Sequence, residues 1–153
     1  MKVQSIMTRD VEACTAETDL ADAAMIMWRN DCGVVPVIAE PDRKVIGLIT
    51  DRDICMGIAT KNRLASEISV SEVMTGRTYA CTVTEDVKSA LRTMAERKVR
   101  RLPVIGKEGS LVGMLSLNDV ILHTQLHARS AASLTAADVL EAYHSICEHL
   151  QPA

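Results

Sequence analysis

The 153-residue chain has no phenylalanine, one tryptophan and two tyrosines, so aromatics make up 2% of it. The short basic run of Arg97, Lys98, Arg100 and Arg101 therefore has no aromatic platform within it on which nucleic-acid bases could stack. Cationic charge is not in excess either. With 17 Lys and Arg against 20 Asp and Glu, the formal charge is −3, which gives no general reason to expect nucleic acid as a partner. No apolar run approaches the roughly 20 residues of a membrane helix, and Met1-Lys2-Val3-Gln4 leads into no apolar signal core. The five cysteines are odd in number and show neither metal nor redox spacing. Buried free thiols are the simplest reading, and they suit a reducing, cytoplasmic setting. No Ser-His-Asp or Cys-His set has support beyond the presence of the residues. Asp51 and Asp53 are two apart on an expected helix and do not face one another, so they are not an acid–base pair. No enzyme activity is expected.

An apolar content of 48% excludes a disordered chain. Within it a repeat is visible. Met7-Thr8 returns as Met74-Thr75, Met27 as Met94 and Pro36-Val37-Ile38 as Pro103-Val104-Ile105, each 67 residues on. Gly47 and Gly113 are 66 apart, so one residue is missing in the turn around Lys107-Glu108-Gly109. The repeat centres on Lys44-Val45-Ile46-Gly47-Leu48-Ile49-Thr50-Asp51-Arg52-Asp53, a strand running straight into a helix capped by Thr50. The second copy runs from Leu111 through Gly113 and Ser116 to Asp119.

Taken in order, Ser5-Ile6-Met7 holds a helical turn and Val11 to Thr15 is extended. Thr18 caps a helix to about Asn30, with Gly33 as its left-handed terminator. Val34 to Ile38 is a strand that Pro36 confines to an edge or disrupts. Residues 40–44 turn, 45–49 form a strand and 51–60 a helix. Residues 61–69 link the halves, and 69–74 open the second. There Tyr79 to Val83 is a strand and Thr84 caps a helix. Residues 99–105 and the stretch from Leu111 are strands, and the last helix of the repeat runs from Leu117 to about His127. Residues 128–134 read as a hinge, followed by a helix over 135–150. That tail helix is expected to dock through Leu140, Tyr143, Cys147 and Leu150.

The β-α-β-β-α order, the duplication and the two Gly-x-x-Thr/Ser-x-x-Asp junctions resemble the CBS domain family, as a tandem pair often called a Bateman module. The resemblance covers about residues 3 to 124. It implies an α/β (α+β) fold of two units, residues 1–62 and 63–127, packed as a pseudo-twofold pair. A hinge and C-terminal helix at 128–153 lie outside it. It also implies clefts that take adenosine-containing ligands such as AMP, ADP, ATP or S-adenosylmethionine, with the aspartates on ribose hydroxyls. Those roles fall on Asp53 with Thr50, and on Asp119 with Ser116. Basic residues before the Leu-Pro-Val strand, here Arg100 and Arg101, would bind phosphate. No other cofactor is implied.

Counting back 67 from Arg100 and Arg101 reaches Gly33 and Val34, which carry no charge. An ionised partner is worth about 1.5–3 kcal/mol per hydrogen bond against about 1 for a neutral one, and arginine offers a bidentate fork. The second cleft (Arg100, Arg101, Ser116, Asp119) is therefore the better anion site. The first (Gly33, Val34, Thr50, Asp53) suits an uncharged adenosyl group or nothing. Simpler readings stand beside these. Asp53 and Asp119 stabilise helix starts in any case, and Arg97, Lys98, Arg100 and Arg101 suit a helix end. The clefts of a purely structural interaction module would be vestigial. His123, His127, His144 and Cys147 would make a metal-linked module if they converged. A homodimer is expected through Met25, Met27, Trp28, Met56, Ile58, Met94, Ile121 and Leu122. A partner protein would receive the output.

Overall fold

The structure, a computed structural model, describes residues 1–124 and 133–148. Contacts divide the chain into two units. One comprises Glu12–Thr78 with Lys107–Leu111, and the other Met1–Val11, Tyr79–Gly106 and the chain from Val112 onward.

The first unit holds α1 (Leu20–Arg29), β1 (Val34–Ala39), β2 (Lys44–Thr50) and α2 (Asp51–Lys61). Leu20, Ala23 and Met27 recur at helical spacing on α1 and are buried with Val35 and Val37 of β1, Ile49 of β2, and Ile68 and Val70. β1 and β2 are antiparallel; Pro36 keeps its place opposite Leu48, and the register shift between Val37 and Ile38 leaves Ile46 of β2 as the extra residue. The Val11–Thr15 stretch contributes a single bridge, Cys14 to Val37. Gly47 does not interrupt β2.

The second unit holds β3 (Cys81–Thr82), α3 (Val87–Arg97), β4 (Arg101–Ile105), β5 (Leu111–Ser116), α4 (Leu117–Leu122) and α5 (Ala136–Cys147). Its sheet runs in the order β3-β4-β5, with β3 and β4 parallel. Val87, Leu91, Met94, Leu102, Val104, Leu115 and Val120 form its core, and Val3 and Ile6 of the N-terminal arm are buried in the same cluster. The arm is held by bonds from Val3 N to Glu85 O (3.0 Å) and from Gln4 N to Val83 O (3.1 Å). Residues 68–71 meanwhile pack beside α1, through Leu20 N to Ile68 O (3.0 Å) and Val70 N to Thr18 O (2.8 Å).

The Met-Thr segments explain the repeated glycines. Thr8 and Met114 exchange two bonds of 2.9 Å, and a Cβ on Gly113 would lie 2.5 Å from Thr8 O. Leu48 and Thr75 exchange bonds of 3.1 and 3.0 Å, and a Cβ on Gly47 would meet Met74 Sδ at 2.9 Å and Thr75 O at 3.1 Å. Both glycines are there for close backbone approach, since neither has positive φ.

Several local expectations are corrected. The α1 cap is Asp19, whose carboxylate accepts from Asp22 N at 2.9 Å. Thr18 instead spends its hydroxyl on Thr15 N at 3.0 Å. The α3 cap is Asp86, accepting from Lys88 N at 3.0 Å, because the turn before it runs on through Thr82 to Glu85. The left-handed residue ending α1 is Asp31 (φ 46°), not Gly33, and Cys32 N closes the helix on Met27 O at 3.0 Å. Lys98 (φ 57°) does the same for α3, with Val99 N on Met94 O at 3.0 Å. The helical turn of the arm is Val3–Ser5. α4 ends at Leu122, and His127 lies outside the described residues. Met27 and Met94 are core residues and leave the list of pairing candidates.

The tail forms a helix, but its docking face differs from the one expected. Val139, Ala142 and Ile146 are buried, while Leu140 and Tyr143 are exposed and Leu150 lies outside the described residues. α5 packs along α3 and is tied at both ends. Lys88 Nζ is 3.1 Å from Asp138, Lys98 Nζ is 3.7 Å from Glu148, and Lys98 also donates to Ser145 O. Val139, Ala142 and Ile146 join the apolar core with Leu91, and Leu140 is left outside.

Gly113→Ala forces the Thr8 carbonyl to move and is expected to destabilise the fold by about 1–3 kcal/mol. Gly76→Ala, which meets nothing within 4 Å, serves as the control. Chemical denaturation of the two variants measures the difference.

Candidate functional site

The junction of β5 and α4 is closed by a reciprocal cap. Asp119 Oδ2 accepts from Ser116 N at 2.7 Å and Ser116 Oγ at 2.6 Å, and Asp119 N donates back to Ser116 Oγ at 3.2 Å. Asp53 and Thr50 repeat the arrangement between β2 and α2, at 2.9, 2.8 and 3.1 Å. So do Asp138 and Thr135 at the start of α5. Three copies, one outside the repeat, make the box itself a structural device. Burial pushes the Asp138 carboxyl up, but the bonds from Thr135 and the Lys88 ammonium outweigh this and hold it below its ordinary value. In the other two boxes each carboxylate spends Oδ2 on the cap, and Oδ1 has no hydrogen bond among the described residues. Asp53 and Asp119 are both half-buried.

The neighbours distinguish the two junctions. Leu117 N donates to Arg100 O at 2.9 Å, which sets the start of β4 beside the start of α4. Arg100 is exposed and Arg101 half-buried, and neither takes part in an ion pair among the described residues. The rest of the basic run is committed elsewhere. Arg97 lies over the Tyr79 ring at 4.8 Å, and Lys98 ends α3 and holds α5. The run thus divides into two structural cations and two available ones.

In the first unit the corresponding bond, Asp51 N to Gly33 O, is 3.3 Å. A Cβ on Gly33 would lie 2.8 Å from Asp51 Oδ2, so a carboxylate fills the space beside the position matching Arg100. Val34 begins β1 and is buried. Arg52 is exposed, and its backbone N–H donates to Asp51 Oδ1 at 2.7 Å. Asp51 is the residue that sequence reasoning missed. Its place directly after Thr50, matching apolar Leu117, was the available signal.

The remaining candidates separate. Cys14 and Cys81 are buried, and burial pushes their thiols up to about 11 and about 12, the latter with help from the Glu85 carboxylate. Both stay protonated and unreactive near neutral pH. His123 Nδ1 is 2.8 Å from Asp119 O, and His144 is exposed beside Glu148. Among the described residues no group of three or more His, Cys, Asp or Glu gathers as a metal set, and no helix is long and apolar enough to cross a membrane.

With this geometry in view, comparison with known proteins is direct. The CBS domain sequence profile matches residues 3–60 and 70–124, and the chain belongs to the CBS domain family as a tandem pair. YlbB of Bacillus subtilis is 31% identical over 135 residues, spanning 88% of this chain and 89% of that protein. The crystal structure of Hypoxic Response Protein I with two coordinated zinc ions superposes with a TM-score of 0.73 at 28% identity, covering 82% of this chain and all (100%) of that one. The crystal structure of CBSX2 in complex with AMP gives a TM-score of 0.68 at 25% identity over 79% and 93% of the two chains.

Asp119→Ala removes two accepted bonds and a first-turn charge, and is expected to cost about 0.5–2 kcal/mol while leaving the fold intact. Circular dichroism with urea denaturation checks both parts.

Proposed function

We propose that this chain is a regulatory module whose second unit binds an adenosine nucleotide carrying phosphate, with AMP the simplest member of the class. The observation that carries this reading is the pair of arginines beside the Ser116–Asp119 junction, neither in an ion pair among the described residues. An ionised carboxylate accepts only, and a ribose diol supplies the donors, so Asp119 Oδ1 suits the ribose. Ser116 lies next to the ribose–phosphate link. Arg101, with Arg100, neutralises the phosphate through charge-assisted bonds. The AMP complex of a family relative supports the same ligand class.

The first unit (Gly33, Val34, Thr50, Asp53) offers the same cap and free carboxylate oxygen, but its cation is replaced by Asp51. A phosphate there would meet a like charge. An uncharged adenosyl group, or the cationic sulfonium of S-adenosylmethionine, suits it better than AMP, ADP or ATP.

Binding would be read out through shape or pairing. Met56 and Ile58 on α2 of the first unit, and Ile121 and Leu122 on α4 of the second, are exposed apolar residues that would serve pairing into a homodimer. The buried thiols suit a reducing, cytoplasmic setting.

Calorimetry on three variants tests the ligand. Asp119→Ala should abolish AMP binding. Arg101→Ala should weaken AMP by about tenfold or more while sparing adenosine, which lacks the group the arginine serves. Asp53→Ala should leave AMP unchanged. Equal losses of AMP and adenosine in Arg101→Ala would refute the phosphate role. AMP loss in Asp53→Ala alone would move the site to the first unit. A thermal-shift panel of AMP, ATP, S-adenosylmethionine and zinc surveys the class, since a ligand at 100 times its Kd adds about 2.7 kcal/mol. No shift with any of them would favour a purely structural module. Light scattering at micromolar concentration should give twice the chain mass, and a single-chain mass would remove the dimer.

A further inference from the structure

The repeat makes α1 the counterpart of α3, and both helices end in the same way, at Asp31 and Lys98. In the second unit α5 covers this surface. Leu91, Ala95 and the stem of Lys88 lie beneath it, and Lys98 meets its C-terminal end. Counting back 67, the matching positions of α1 are Ala21 for Lys88, Ala24 for Leu91, Met25 for Arg92, Trp28 for Ala95 and Asp31 for Lys98. In the first unit that surface is an open groove of about 420 Å³, lined by Ala24, Met27, Trp28, Asp31, Asp51 and Ile54 among others. Trp28 is 83% exposed there, an unusual situation for the only tryptophan in the chain.

The charge of the groove selects its occupant. α5 brings Asp138, Glu141 and Glu148 to a surface presenting Lys88, Arg92 and Lys98. The α1 groove has replaced all three cations with alanine, methionine and aspartate, and Asp51 adds a second carboxylate. Neither Asp31 nor Asp51 is in an ion pair among the described residues. The α5 helix of another copy would bring carboxylates onto carboxylates. We infer that the α1 groove of the first unit is a docking site for an amphipathic helix of a partner protein, apolar on one face and lysine- or arginine-bearing beside it. The occupant is the charge-reversed counterpart of the contact that α5 makes with α3. Apolar burial over Trp28, with Ala24 and Ile54 beside it, supplies affinity, and the aspartates select for basic flanks. The groove shares Gly33 and Asp51 with the first unit's cleft but no residue with the Arg100, Arg101, Ser116 and Asp119 site, so its test does not depend on phosphate binding there.

Trp28 is also the reporter. The probe is a synthetic peptide of residues 135–148 carrying Glu141→Lys, Glu148→Lys and Cys147→Ser, with Asp138 kept because it caps the helix. The control peptide carries Cys147→Ser alone. Neither contains tryptophan. Titrated into the full chain, the basic peptide should give a saturable blue shift of Trp28 emission, with the control binding at least about tenfold more weakly. Asp31→Lys with Asp51→Lys should reverse that preference. Lysine is compatible with the backbone at position 31, because Lys98 holds the equivalent left-handed position. No blue shift at saturating peptide, or equal binding of the two peptides, would overturn the proposal. So would Trp28 emission that is already blue-shifted and moves red on dilution, which would put a second copy in the groove.

Discussion

The structure depends on two places where one backbone lies against another with no side chain between them. At Gly113 the Thr8 carbonyl occupies the space a Cβ would take, and at Gly47 the Met74-Thr75 segment does the same. Each contact pairs one residue of a Met-Thr segment with a strand, through two hydrogen bonds. The strand so held ends three residues later in a hydroxyl, Thr50 or Ser116, and the helix begins there. Strand register therefore sets where the cap falls, and the cap sets where the free carboxylate oxygen of Asp53 or Asp119 points. An added methyl at either glycine would move a backbone, and interiors packed to crystal density transmit such shifts.

On that frame the two units differ in the charge beside their junctions. The capping box is common to both junctions and to α5, so it explains stability and not selectivity. What differs is what stands next to it: Arg100 and Arg101 in one unit, and Asp51 against Gly33 in the other. Charged partners are worth roughly twice neutral ones in hydrogen bonds, so this one exchange outweighs the likeness of the two scaffolds. The same inversion appears on the helical surfaces, where Lys98 holds α5 and Asp31 edges an open groove. Duplication has kept the backbone and changed the sign of the charge in both places.

What the chain disclosed unaided was whatever depends on neighbours in sequence. The repeat, the strand-to-helix junctions, the helical periodicity of Leu20, Ala23 and Met27, and the residues Ser116 and Asp119 were all legible, because capping boxes and amphipathic faces span three to seven residues. The class of fold followed from those elements and the family likeness. Helix starts were misplaced by one or two residues at Asp19 and Asp86, since neighbouring hydroxyls and carboxylates compete for the same amides and only the turn geometry decides among them. What only the tertiary structure decided are contacts distant in sequence. The N-terminal arm joins the core of Val87 and Leu102. Arg97 and Lys98 are spent on Tyr79 and α5 while Arg100 and Arg101 stay available. Val139 and Ile146, rather than Leu140 and Tyr143, face inward on α5, where they join the core that includes Leu91 of α3. Spacing along a helix names its apolar residues, but which of them meet a partner depends on where that partner lies, and that is set by the packing of the whole chain.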